Sequence, residues 1–164
     1  MVMKMKRINL NVAICKEYDE KTQSAKSFID KVNLESMKAK LTIFIMINGI
    51  NDDSDSFKYD FFIKCIKADN SQYTDNVSYL FTMDGKRNEG TPSANMINGG
   101  CGDFYQVITT IDKVTSFPCG GIFQIEVYSV SSECKNINRA VERYRHYREN
   151  EGMPNAVYRF VVKE

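Results

Sequence analysis

Apolar residues recur at every second position along most of the chain, the periodicity of half-buried β-strands. Ile8, Leu10, Val12 and Ile14 share one face of a strand over 7–15, with Asn9, Asn11 and Ala13 opposite. The polar run Asp19-Glu20-Lys21-Thr22 reads as a turn. Ala25, Phe28, Ile29 and Val32 after it fit helical spacing, but the turn also suits a hairpin, which favours a second strand over about 25–33. Leu41, Ile43, Ile45 and Ile47 alternate with Thr42, Phe44 and Met46, so the strand over 39–47 is apolar on both faces. It is therefore expected to be the most buried strand; full exposure of Phe44 and Met46 in the monomer would instead point to a subunit interface.

Phe57, Tyr59, Phe61, Ile63 and Cys65 form the next inner face over 57–67, leaving Lys58, Asp60 and Lys64 toward water. A strand over 76–83 ends at Asp84-Gly85, a turn pair. Residues 84–103 hold five of the nine glycines and read as a long loop. Further strands are expected over 104–112, 121–130 and 156–163.

One segment departs from period two. Between Cys134 and Asn150 the apolar residues Ile137, Ala140, Val141, Tyr144 and Tyr147 fall at helical spacing, and Gly152 with Pro154 closes the helix. The same wheel assigns Arg139, Arg143 and His146 to the solvent side. About eight strands follow one another with no helix between them until the last. That order excludes an alternating parallel α/β sheet. It predicts a single domain over 1–164, mainly β: an antiparallel β-sandwich with one α-helix inserted before the last strand.

The opening hairpin, Ile14-Cys15-Lys16-Glu17-Tyr18-Asp19-Glu20-Lys21-Thr22 leading to Ser27-Phe28-Ile29-Asp30-Lys31-Val32, resembles the start of small bacterial and phage single-domain β-sandwich proteins of unknown function. Gly121-Ile122-Phe123-Gln124-Ile125-Glu126-Val127 is similar to their penultimate strand. The resemblance covers about a third of the chain and implies a fold without an activity. It departs from that pattern where a helical insertion separates the last two strands.

Composition adds limits. Ten Phe and nine Tyr among 164 residues supply core volume that disordered chains lack. With 22 basic and 21 acidic side chains the net charge is +1, which gives no general footprint for nucleic acid or an anionic membrane. The longest apolar run, Ile43 to Ile47, is far shorter than a membrane span. Five cysteines without close pairs suit a reducing compartment, and the expected location is the cytoplasm. Richness in Lys, Asn and Ile points to an AT-rich bacterial or phage genome.

Candidate chemistry is sparse. Cys101 lies among glycines, and His146 is the one histidine that could ionise it. Together they define a small hydrolase or transferase as one alternative. Asn51, Asp53 and Asp55 offer alternate oxygen donors for calcium, a second alternative. The segment fails the EF-hand pattern, with Ser56 where Gly is required and Phe62 in place of the bidentate Glu. Asn98, Gly99 and Gly100 present consecutive backbone N–H groups that could nest an anion, without the Lys-Ser/Thr of a P-loop.

The sequence thus favours a non-enzymatic binding or adaptor module without cofactor or metal. Its expected contact residues are Asn98, Gly99 and Gly100 in the glycine-rich loop and Arg139, Arg143 and His146 on the helix. The expected partner is another protein or an acidic ligand, with a second copy of the chain as the alternative, rather than nucleic acid or a membrane.

Overall fold

The structure, a computed structural model, describes residues 8–22, 24–50, 56–86, 94–99, 102–130, 132–134, 136–150 and 152–164. Ten strands are described among them: β1 (Ile8–Asp19), β2 (Ser24–Phe28), β3 (Lys31–Asn33), β4 (Lys38–Ile50), β5 (Ser56–Ala68), β6 (Val77–Lys86), β7 (Ala94–Gly99), β8 (Gly102–Ser116), β9 (Gly121–Ser129) and β10 (Ala156–Lys163). One helix, α1 (Ala140–Asn150), precedes the last strand. The strands form two five-stranded sheets, ordered β2-β1-β4-β8-β7 and β3-β10-β9-β5-β6.

Period two explains how the sheets meet. Leu10, Val12, Ile14, Leu41, Ile43, Ile45 and Ile47 from the first sheet bury against Tyr59, Phe61, Ile63, Phe123, Ile125, Val127 and Phe160 from the second. Fully burying each such side chain contributes roughly 1.5–3 kcal/mol. The mainly β sandwich with a helix before its last strand agrees with the alternation pattern.

Four expectations change in detail. The segment 25–33 is two strands: β2 pairs antiparallel with β1, whereas β3 runs parallel to β10 in the opposite sheet. The chain crosses between sheets at Ile29 and Asp30, whose carbonyls accept from Tyr158 Oη and the Val161 N–H. Running onward in one direction after that crossing makes β3 parallel, the exception to the antiparallel expectation.

Asp84-Gly85 is not a turn, and β4 likewise continues through Asn48-Gly49. Asp84 pairs with Lys58, and Gly49 pairs with both Ile8 and Tyr105, because long partner strands extend the ladders past them. The stretch 84–103 also contains β7, paired antiparallel with β8. Local turn chemistry yields where neighbouring backbone offers a full set of hydrogen bonds.

Finally, β9 is more deeply buried than β4. Every residue from Phe123 to Tyr128 is buried, whereas Thr42, Phe44 and Met46 are half-buried on the outer side of β4. Helix α1 covers the outer face of β9, while Phe44 is partly shielded by the rings of Phe28 and Tyr18, at centroid distances of 5.6 and 6.2 Å. The expected Asp19 turn is present, with Asp19 Oδ1 accepting the Lys21 N–H at 2.9 Å. At the β8–β9 corner Gly121 has φ 147, and a Cβ there would lie 2.2 Å from the Lys67 carbonyl oxygen.

Candidate functional site

Helix α1 lies on the outer face of the second sheet, and its seat is built from strand residues that alternate away from the main core. Phe62 on β5 and Tyr128 on β9 form a second buried cluster with Tyr147 and Cys134. The rings of Tyr128 and Tyr147 stack 4.9 Å apart, and Tyr144 meets Phe62 edge-on at 5.0 Å.

Two carboxylates sit in that seat. Asp60 is fully buried, and four donors converge on it. Arg143 Nε and Tyr147 Oη donate to Oδ2, both at 2.7 Å, while Arg143 Nη2, at 3.2 Å, and Thr82 Oγ1 donate to Oδ1. Tyr79 Oη donates in turn to Thr82, and its ring lies 5.9 Å from the Arg143 guanidinium carbon. Arg143 Nη1 also caps the Ile137 carbonyl at 2.9 Å, tying the lead-in to the helix.

Glu126 is buried beside this constellation. It accepts from Tyr128 and Tyr144 at 2.8 and 3.0 Å on Oε1 and from Gln124 at 2.8 Å on Oε2. Gln124 Oε1 is itself held by Arg159. Burial and then the Glu126 bond push the Tyr128 hydroxyl up to about 12. Burial likewise drives Tyr144 and Tyr147 upward, and the Asp60 bond raises Arg143. With donors on each carboxylate oxygen, Asp60 has little capacity left to take a proton from a substrate. These groups fasten the helix.

Arg143 therefore corrects the helical-wheel assignment. It is not a solvated side chain, since only 14% of it is exposed. On a 3.6-residue wheel it stands about 40° from Tyr147, close enough to reach the seat, and buried Asp60 draws it in. Asp60 correspondingly does not face water. Val141, counted in the apolar stripe, is 54% exposed.

Arg139 keeps its place outward, 83% exposed and 3.8 Å from Glu142. Arg139, Ala140, Val141, Glu142 and Arg145 line an open groove of about 530 Å3. His146 is half-buried, with Nε2 3.4 Å from Glu133 and Nδ1 3.1 Å from the Asn150 amide.

Of the glycine-rich loop residues, Asn98 and Gly99 belong to β7 and pair with Asp103 and Gly102. Gly100 and Cys101 lie outside the described residues, as do Asp53 and Asp55 of the candidate calcium loop. Among the described residues no group of three or more His, Cys, Asp or Glu could hold a metal ion. Cys15, Cys65 and Cys119 are buried free thiols, Cys134 is buried in the helix seat, and burial raises Cys15 and Cys65.

Asp60 and Glu126 are hidden in the sequence because charged residues on alternate positions read as solvent-facing. Phe62 was the available signal: a phenylalanine on the polar side of β5 requires a cover, and Tyr144 and Tyr147 on one helix stripe could supply it.

The fold and its helix seat define a two-sheet β-sandwich with a polar-anchored surface helix. No family model matches the chain, and no curated protein matches it. Among solved structures, a β-glucosidase from Listeria innocua aligns with a TM-score of 0.48 at 9% identity, over 98% of this chain and 16% of that one. A β-glucosidase from Kluyveromyces marxianus in complex with glucose aligns at 0.44 and 9%, over 98% and 14%. The chain thus spans about a sixth of those enzymes' length, and likeness at this level decides neither fold nor function. No helix among the described residues is long and apolar enough to cross a membrane.

Proposed function

We propose that this domain is a non-enzymatic binding module that presents the outer face of α1 to an acidic surface on a protein partner. The observation that carries the proposal is the Asp60–Arg143 anchor. It holds the helix by two charge-assisted bonds from beneath, so Arg139, Val141 and Arg145 stand on a rigid support. Arginine is enriched at protein interfaces, and pre-organisation lowers the entropic cost of docking. The buried free thiols support a reducing compartment such as the cytoplasm.

The test uses Arg139→Glu with Arg145→Glu, because Arg143 belongs to the anchor. The wild-type domain is expected to retain a partner from a lysate of its native host. The double reversal is expected to lose it and to melt at the same temperature, while Cys101→Ser and His146→Ala leave capture nearly intact. Retention by the reversed variant would overturn the proposal, and loss of the biological activity on Cys101→Ser or His146→Ala, with no effect of the arginine reversals, would favour an enzyme instead.

A further inference from the structure

A second groove, of about 700 Å3, opens where the chain crosses from one sheet to the other. Its walls come from the end of β1, the β2–β4 segment and Val114 of β8. Four lysines line it, Lys16, Lys31, Lys38 and Lys40, against a single carboxylate, Glu35. Ile29, Val32 and Val114 supply an apolar floor, and Val114 is left 65% exposed.

Two further observations converge on this groove. Across the parallel strands β3 and β10 Lys31 pairs with Val161 and Asn33 with Lys163, so the two lysines lie diagonally on neighbouring strands, and the side-chain contact with Lys163 is the chief influence that depresses Lys31 below its ordinary range. Neighbouring Asp30 opposes that depression, and Asp112 pairs with Lys40 at 3.4 Å. Even with these carboxylates, two like charges remain together at the rim, an arrangement that a bound anion would relieve.

The wall is also strained. Ser36, which lines the groove, and its neighbour Met37 form a two-residue turn with φ 52 and 61, conformations that glycine adopts readily and these residues do not. The hydrogen bonds between Glu35 and Lys38, at 2.9 and 3.1 Å, hold that turn closed. Non-glycine residues kept in this region concentrate at ligand clamps and other functional segments.

We infer that the groove is a binding site for a small organic polyanion, with at least two negative charges held by Lys31, Lys38 and their neighbours and a carbon skeleton resting on Val32 and Val114. Its volume lies within the roughly 300–1,000 Å3 of small-molecule sites. Phosphate esters and polycarboxylates share the required chemistry. The inference stands apart from the α1 proposal, because it uses none of that helix.

Calorimetric titration with fructose 1,6-bisphosphate, a phosphate ester, and, separately, with citrate, a polycarboxylate, tests the site and distinguishes the two sources. At least one probe is expected to bind saturably to the wild-type protein, more weakly as salt rises. Lys31→Gln with Lys38→Gln should weaken that probe at least tenfold, and Lys31→Arg should retain it. Arg139→Gln with Arg145→Gln, which removes the same charge from α1, should leave affinity within twofold. Failure of both probes to saturate, or equal weakening by the two double variants, would overturn the site. The lysines are exposed, and circular dichroism of each variant checks that the fold is kept.

Discussion

Removing the Arg143 guanidinium leaves the Asp60 carboxylate buried with neutral donors alone. Breaking one partner of such a pair costs about 3–5 kcal/mol, because the remaining charge cannot recover its hydration. Arg143→Ala should therefore lower stability by that amount in chemical denaturation. The paired change Asp60→Leu with Arg143→Leu should cost much less than the two single changes summed, since no orphaned charge remains. Additive losses would show that Arg143 acts through packing alone. This pair was not legible in the alternation of β5, where Lys58, Asp60 and Lys64 share a polar side. Burial of Asp60 depends on a helix that lies 83 positions away in sequence at Arg143.

At the scale of the element, α1 was legible as a helix but not in its orientation. The spacing of Tyr144 and Tyr147 identifies the seated side, and Gly152, with φ 72, ends the helix as its position predicts. Its N–H donates to the Tyr147 carbonyl at 2.9 Å. Helical spacing runs from Ile137, yet α1 begins at Ala140. Val141 lies at one edge of the expected stripe and Arg143 about 40° beyond Tyr147 at the other. The two exchange roles because Asp60 lies beneath the arginine while no apolar partner lies beneath the valine. Tyr147→Phe should cost about 1–3 kcal/mol, by removing a donor from buried Asp60. Val141→Ser should change stability by less than about 0.5 kcal/mol, as exposed positions do. Thermal melts of the two variants check both, and a large loss at Val141 would place it in the core after all.

For the whole molecule, the seat of the helix sets an alkaline limit. The Tyr128 hydroxyl has its ordinary value of 10.0 in the unfolded chain and about 12 in the fold, so folding favours its protonated form. Below pH 10 both states hold the proton and its contribution to stability is intact. Between pH 10 and pH 12 the unfolded chain releases the proton first, and stability falls as pH rises. Tyr144 and Tyr147 shift in the same direction and steepen the fall. The melting midpoint should drop continuously across that window, and Tyr128→Phe should flatten the drop. A midpoint that stays constant to pH 12 would mean that these hydroxyls titrate freely.

Sequence alone determined the number of layers and most of the strands. Period-two alternation is a local property, and a two-sided β-chain can bury its apolar faces only by pairing sheets. The same locality accounts for what stayed hidden. Whether Asp84-Gly85 turns or Asp60 faces water depends on strands and helices distant in sequence. So do the crossing of 29–30 between sheets and the gathering of Lys16, Lys31, Lys38 and Lys40 around one groove. Backbone ladders and buried charge are satisfied by partners that only the folded chain brings within reach, and those contacts were decided by the tertiary structure.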